Sequence, residues 1–362
     1  MSSSTLYRKY RPQSFSEIVG QGHIIKTLTN AILSNNIVHA YLFSGIRGTG
    51  KTSLARIFAK ALNCQKREGA EACNKCPSCL EIINGSAVDL IEVDAASYTG
   101  VDDMRELIKS TYLLPSKLKY KVFIIDECHQ LSKHAINALL KTLEEPPAHI
   151  IFVLVTTEIQ KILPTILSRC QTFTFWKVKE EEIVKRLEEI SKQEGVLIEK
   201  EALKTIVFNS GGSVRDSESL LGQVLTLSSF AKNNKIKNED VKKILGLVEV
   251  ALISQLIDLI IEKKETEIIV FLKELSERSI DFQEFIKALI NYTRNLLVFQ
   301  ISKDKSLILG LTIEELEKLQ KQAEKLSRGK IEALLFSLID AEKNMRYSPN
   351  SYLLIELAIL KN

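Results

Sequence analysis

Between residues 40 and 176, short apolar runs rich in β-branched and aromatic residues alternate with stretches whose apolar positions recur every three or four residues. The runs at 40–44, 90–93, 121–125, 151–155 and 172–176 predict strands. The stretches at 52–62, 102–111, 133–143 and 160–167 predict helices. Such alternation predicts an α/β fold, a largely parallel sheet with helices on both faces. From about residue 180 the strand pattern stops. Helices are predicted over 180–193, 201–209, 214–230 and 238–245, with Gly211 and Gly212 breaking the chain between the second and third. After Gly246 a further helical run keeps the three-and-four spacing, as in Ile268, Phe271, Leu272 and Leu275. The expected organisation is an α/β domain over 1–178, a small helical domain over 179–247 and an all-helical domain over 248–362.

Composition agrees with several domains, since 362 residues exceed what one core usually organises. Hydrophobic residues at 45% and charged residues at 26% exclude a disordered chain. The net charge of +4 is too small to point to nucleic acid by itself. The N-terminus lacks the apolar centre of a secretory signal, and the apolar runs near 150–155 and 250–261 are too short or too interrupted to span a bilayer. A cytoplasmic protein with no membrane partner is expected.

Gly45-Ile46-Arg47-Gly48-Thr49-Gly50-Lys51-Thr52 fits the phosphate-loop pattern G-x-x-x-x-G-K-[ST] at every fixed position, between a predicted strand and a predicted helix. Its glycines let backbone N–H groups wrap phosphates at the positive end of that helix. Lys51 suits the β- and γ-phosphates of ATP, Thr52 suits Mg²⁺, and Ser53 completes the expected nucleotide-binding set. About 75 residues on, an apolar run ends in Asp126 and Glu127, at the carboxyl edge of a strand where open α/β sheets bind ligands. Asp126 suits the Mg²⁺ shell and Glu127 suits polarising an attacking water. Cys128 and His129 are expected to be structural.

Cys64, Cys73, Cys76 and Cys79 place four thiols within sixteen residues. In a reducing compartment such a cluster reads as a metal site before it reads as disulfides. Four thiolates suit a closed, structural Zn²⁺ site, and an iron–sulfur cluster is the chemical rival.

The segments YRKYRPQSFSEIVGQ, GIRGTGKTSLARIFAKALNC, FIIDECHQLSKHAINALLKTLEEPP and LPTILSRCQTF resemble the gamma/tau family of bacterial DNA polymerase III clamp-loader subunits. The likeness runs from Tyr7 to Phe173, continues in GGSVRDSESLL, and beyond Gly246 rests on helical pattern and length. It implies an AAA+ ATPase with a zinc-binding insert, a helical lid and a helical collar for oligomerisation. It implies that Arg169, in Ser168-Arg169-Cys170, acts as an arginine finger on ATP held by a neighbouring subunit. Thr157 matches a sensor of the γ-phosphate, with Thr156 as the alternative, and Arg215 matches a second sensor on the lid. Tyr7, Arg8, Arg11, Pro12, Val19, Gly20 and Gln21 match the segment that covers the adenine.

The implied partners are delta, delta-prime and further gamma/tau copies, the sliding clamp, and primer–template DNA through its backbone. Tyr98 and Gly100 stand where some relatives carry basic residues, which leaves Arg105 and Lys141 as candidate phosphate contacts. The implied function is that of an ATP-driven motor subunit, in which hydrolysis loads the clamp on primed DNA during replication. A polymerase's carboxylate-bearing palm is not recognisable, so nucleotidyl transfer is not expected, nor is the tail that long tau forms add. The alternatives are another DNA-associated AAA+ ATPase and a clamp-loader subunit that no longer hydrolyses ATP.

Overall fold

The computed structural model describes residues 5–97, 101–228, 235–246, 248–278, 280–302, 307–308, 311, 313–345, 348 and 351–361, with the backbone alone at 101–105, 133, 228, 313 and 351. Tyr98, Gly100 and the side chain of Arg105 therefore lie outside the described residues, as do 229–230 at the end of one predicted helix. The chain divides into two compact units, Met1–Lys235 and Ile236–Asn362.

In the first unit, β1 (Ala40–Gly45), β2 (Leu90–Asp94), β3 (Lys121–Asp126), β4 (Ile150–Thr156) and β5 (Gln171–Phe175) form one parallel sheet in the order β2-β3-β4-β1-β5. Side chains alternate across it as a strand period of two requires. Val122 and Ile124 of β3 join Ile151, Val153 and Val155 of β4 on one face, while Phe123, Ile125, Phe152 and Leu154 fill the other. All nine are buried, which is why these strands read as continuous apolar runs.

Ahead of the sheet come the short helix α1 (Leu6–Lys9), the 3₁₀ turn Phe15–Glu17 and helix α2 (Gly22–Leu33). Helix α3 (Lys51–Asn63) follows β1 and packs on one face. Next come α4 (Pro77–Ile83), α5 (Val101–Thr111) and α6 (Lys133–Glu144), the last covering the other face through Ala135, Ile136, Leu139 and Leu143. Ser132 starts α6 by accepting from Ala135 N at 3.2 Å, a cap that contributes about 1 kcal/mol.

The helix expected over 160–167 is a correction. A 3₁₀ turn at Ile159–Lys161 and a separate helix α7 (Pro164–Leu167) stand there instead. Leu163 precedes a proline and is extended, at φ −63° and ψ 138°, so the helix cannot run through it. Helices α8 (Glu180–Gln193), α9 (Lys200–Asn209) and α10 (Val214–Ser228) complete the first unit, with Gly211 and Gly212 at positive φ between the last two.

The second unit holds α11 (Asn238–Ile244), α12 (Val250–Ile261), α13 (Glu265–Glu277), α14 (Phe282–Ser302), α15 (Ile313–Lys325), α16 (Arg328–Met345) and α17 (Ser351–Leu360). Its core gathers Leu256, Leu272, Leu289, Leu296, Leu338 and Ile355, and Ile268, Phe271 and Leu275 are buried as their spacing requires. One polar cluster is fully satisfied inside it. Tyr292 Oη donates to Gln322 Oε1 at 2.6 Å, and Gln322 Nε2 reaches Ser254 O at 2.8 Å and Asp258 Oδ1 at 2.7 Å. Among the described residues, no helix is long and apolar enough to cross a membrane.

Candidate functional site

The strand order decides where the motifs meet. Strand β4 lies between β3 and β1, so the turns that follow all three emerge side by side at the carboxyl edge of the sheet. The phosphate loop leaves β1 with Gly45 at φ +141°, and a Cβ there would stand 2.4 Å from Phe175 O. At the loop's crest a Cβ on Gly48, at φ +79°, would stand 1.8 Å from Ser213 Oγ. Glycine is required at both positions.

Lys51 is buried, at 6% exposure, and its Nζ donates to Gly45 O at 2.8 Å and Ile46 O at 2.7 Å. Burial pushes its pKa down, against the pull of Glu127 and Asp126. Thr52 Oγ1 donates to Asp126 Oδ2 at 2.7 Å. Burial pushes the Asp126 carboxyl up, and the bonds from Thr52 and the Glu127 N–H oppose it. Glu127 has φ +47°, an uncommon left-handed conformation for a side chain of its size. Thr157 Oγ1 donates to its Oε2 at 2.9 Å, and His129 Nδ1 stands 3.4 Å from the same oxygen. Thr156, the alternative to Thr157, is buried at the end of β4 and bonded to His129 Nδ1 at 3.0 Å.

These groups open on one cavity of about 860 Å³. Arg47, Gly48, Thr49, Gly50, Lys51, Thr52 and Ser53 line it, with Asp126, Glu127, Thr157 and Arg215. Of the N-terminal segment, Tyr7, Arg8, Arg11, Pro12 and Val19 line it as well. Gly45, Ile46, Gly20 and Gln21 do not. Gly45 and Ile46 give their carbonyls to Lys51, while Gln21 Nε2 donates to Trp176 O at 2.7 Å and its Oε1 accepts from Trp176 N at 3.1 Å. Gln21 thus ties the segment to the end of β5 rather than facing a ligand.

The lid side of the cavity comes from α8 and α10. Arg215 lies 4.7 Å from the Tyr7 ring centroid, a cation–π distance. The Tyr7 hydroxyl is drawn down to about 8 by its bonds to Thr5, Arg215 and Arg8. Val214 N donates to Gly48 O at 3.1 Å, so the start of α10 is bonded directly to the phosphate loop. The sequence did not point to Arg186 and Glu218, which also line the cavity. Glu218 is 5% exposed, and burial lifts its carboxyl to about 7 although Arg186 pulls it down. Arg186 bonds Tyr10 O at 2.6 Å and lies 3.5 Å from Glu218 Oε1.

Arg169 is placed elsewhere. It precedes β5, whose Gln171 pairs with Tyr41 at the amino end of β1, and with His39 it lines a separate cavity of about 410 Å³. Its guanidinium bonds Glu144 Oε1 at 2.7 Å and Thr165 O at 2.8 Å. Lys141 is exposed on α6.

The sulfurs of Cys64, Cys73, Cys76 and Cys79 lie within 4.8 Å of one another. Backbone N–H groups point at them, from Cys73 to Cys64 Sγ and from Cys76 to Cys73 Sγ, each at 3.3 Å. The N–H groups of Lys75 and Cys76 draw the Cys73 thiol down to about 6. Converging sulfurs with a thiolate-stabilising backbone fit a tetrahedral metal ion. Cys128 is buried and Cys170 half-buried. Both are pushed up by burial, Cys170 to about 12, which suits inert thiols.

Known proteins resemble the chain along its length. Three family models match: "DNA polymerase III, delta subunit" over residues 20–179, "DNA polymerase III clamp loader subunit, ATPase lid domain" over 182–229, and "DNA polymerase III subunits gamma and tau domain III" over 236–362. DNA polymerase III subunit tau of Bacillus subtilis is 41% identical over the whole chain, which spans 63% of that protein. Subunit tau of Escherichia coli is 36% identical, with 55% of its length spanned. Subunit gamma of Buchnera aphidicola is 35% identical over all of this chain and 99% of its own. Among solved structures, the Holliday junction branch migration motor RuvB of Thermotoga maritima shares the fold, with a TM-score of 0.51 and 22% identity over 70% of this chain and 80% of that one. Identity of this order along the whole length, with the lid and the third domain each matched in turn, means that the chain belongs to the gamma/tau family of DNA polymerase III clamp-loader subunits, AAA+ proteins with an ATPase lid.

Proposed function

We propose that the chain is the ATP-driven motor subunit of a bacterial clamp loader, hydrolysing ATP to open a sliding clamp and place it on primed DNA. The observation that carries this reading is the convergence of Lys51, Thr52, Asp126, Glu127 and Thr157 on one cavity roofed by Arg215. A chain that bound ATP without hydrolysing it would not need Glu127 held beside the phosphate loop.

In this reading the N–H groups of residues 45–52 and Lys51 Nζ hold the phosphates, with Lys51 exchanging its two carbonyl partners for phosphate oxygens. Thr52 and Asp126 would hold Mg²⁺, which would supply charge neutralisation to the phosphates. Glu127 orients and polarises the attacking water, and Thr157 fixes the carboxylate while sensing the γ-phosphate. Arg215 draws the lid onto the nucleotide, and Tyr7, Arg8, Arg11, Pro12 and Val19 cover the base. The four cysteines would hold a structural Zn²⁺, leaving no position for substrate.

Arg169 acts on another subunit's ATP. About six residues of strand separate its level from the phosphate loop, about 20 Å at 3.3 Å per residue, so it cannot reach its own nucleotide. The partners follow: delta, delta-prime, further copies of this family, the sliding clamp and primer–template DNA contacted through phosphates. We also propose the three-part division 1–178, 179–247 and 248–362, the last part serving as the collar.

The test is ATP hydrolysis by the reconstituted complex, with and without primed DNA and clamp. Stimulation by both together is expected, and it should vanish with Glu127→Gln. Hydrolysis indifferent to DNA and clamp would overturn the motor reading.

A further inference from the structure

The cysteine loop makes contacts beyond its own thiols. Glu71, two residues before Cys73, accepts from Phe15 N through Oε2 at 3.1 Å and from Ser16 N through Oε1 at 3.1 Å. These N–H groups open the 3₁₀ turn Phe15–Glu17, whose own N-cap, Ser14, makes no capping bond. A carboxylate from a distant loop therefore caps the turn, with bonds roughly twice as strong as neutral ones. A second tie comes from α3. Lys60, 2% exposed, donates to Gln13 O at 2.7 Å and to Gln13 Oε1 at 3.1 Å. Phe15 itself is buried in the same core cluster as Cys76 and Cys79.

Residues 13–17 are the stem between two stretches that face the nucleotide cavity. Arg11, Pro12 and the stem's first residue, Gln13, line it on one side, Ile18 and Val19 on the other. The position of Glu71 is in turn set by the loop. Glu68 and Glu71 exchange both backbone bonds, at 3.2 and 3.0 Å, around Gly69 at φ +61°. Cys64 and Cys73 hold the two ends of this loop together through the bond from Cys73 N to Cys64 Sγ.

We propose that Glu71 is a positioning residue for nucleotide binding: the metal-closed cysteine loop presents its carboxylate to the N-terminal segment and holds that segment over the ATP cavity. The inference rests on reading the cavity as the ATP site. Zinc and nucleotide are then linked, each bound more tightly in the presence of the other, because both favour the same position of residues 13–17. Glu71 touches neither ligand. Its effect falls on affinity and leaves the hydrolytic step alone.

The experiment uses the full chain and a fluorescent ATP analogue. Affinity, kcat for ATP, zinc content and amide exchange of residues 13–19 are measured for the wild type, Glu71→Ala and Glu71→Gln. Glutamine keeps the size but offers one acceptor oxygen in place of two. Glu71→Ala is expected to weaken ATP binding about tenfold, equivalent to about 1.4 kcal/mol, with zinc content retained, faster exchange over 13–19 and kcat unchanged. Glu71→Gln should fall between. Stripping zinc from the wild type should weaken binding by a similar factor and add little to Glu71→Ala. Wild-type affinity in both variants, or equal losses on stripping the wild type and Glu71→Ala, would overturn the proposal. Lys51→Ala separates the two readings: if it abolishes binding while the Glu71 variants bind normally, only the role of Glu71 fails, whereas unimpaired binding by Lys51→Ala removes the ATP site itself.

Discussion

Thr157 Oγ1 holds Glu127 Oε2 at 2.9 Å, joining the residue after β4 to the residue after β3 at the mouth of the nucleotide cavity. The bond aims a carboxylate that its own left-handed backbone already turns out of the strand. Glu127→Gln should lower kcat by about 10²–10⁴-fold, the range of general acid–base contributions, while ATP affinity stays within a few fold. Thr157→Ala should cost less, about tenfold, because the carboxylate survives without its tether. Steady-state hydrolysis and nucleotide titration check both. Loss of ATP binding in Glu127→Gln would contradict the assignment.

Gly48→Ala places a methyl group 1.8 Å from Ser213 Oγ at a backbone angle that alanine resists. ATP affinity should drop by more than about tenfold, since loop and lid can no longer meet. Adding Ser213→Gly removes the clash but leaves the backbone strain, so recovery should be partial. Full recovery would show that φ +79° matters little. No recovery would show that the contact with Ser213 does not limit binding.

Arg169→Ala removes a partly exposed pair with Glu144 and should change the stability of the isolated chain by less than about 1 kcal/mol. Hydrolysis by the assembled complex should nevertheless fall by about 10³-fold, within the range of arginine fingers. A mixture of Arg169→Ala chains with Lys51→Ala chains should regain activity that neither has alone. A mixture as inactive as its parts would argue against action between subunits.

Cys79 is fully buried among the four sulfurs. Cys79→Ser should abolish stoichiometric zinc in freshly purified protein and lower the unfolding temperature. Metal analysis and a thermal melt read both effects, and iron with a visible charge-transfer band would replace zinc by the rival cluster.

Glu218 gives stability a pH dependence of known sign. Its carboxyl is raised from 4.5 to about 7 in the fold, so over that interval the folded chain keeps a proton that the unfolded chain has lost. Its contribution is full below about pH 4.5 and is lost as pH rises through about 7, a decline on the order of 3 kcal/mol. Glu218→Gln should flatten the fall of unfolding temperature between pH 5 and pH 8. Parallel profiles for the variant and the wild type would refute this origin.

The sheet and the phosphate loop were legible because their signals are local. The buried strands β1, β3 and β4 leave continuous apolar runs, and the loop needs glycine where a Cβ would strike Phe175 or Ser213. Arg186 with Glu218, and Glu71 with Phe15, were not legible, since the partners stand 32 and 56 residues apart and no spacing rule joins them. Helix α2 was missed because Gln21, its left-handed N-cap, makes no side-chain capping bond and so leaves no start signal. Pro164 did announce the break before α7, but the apolar spacing around it masked that signal. Which of Thr157 and Thr156 bonds Glu127 was not legible either, because a one-residue shift at the strand end decides it.

The parallel pairing of β5 with β1 sets Arg169 and the phosphate loop at opposite ends of adjacent strands. Under the proposed action of Arg169 on a neighbour's nucleotide, the molecule would have a donor end and an acceptor end, and copies that serve one another would stack head to tail, through two different surfaces. Such a row is directional and, unless it closes on itself, always leaves one finger with no nucleotide to touch and one nucleotide pocket with no finger. An open arc of these chains would therefore have two chemically distinct ends, and subunits occupying the ends would need only half of the machinery.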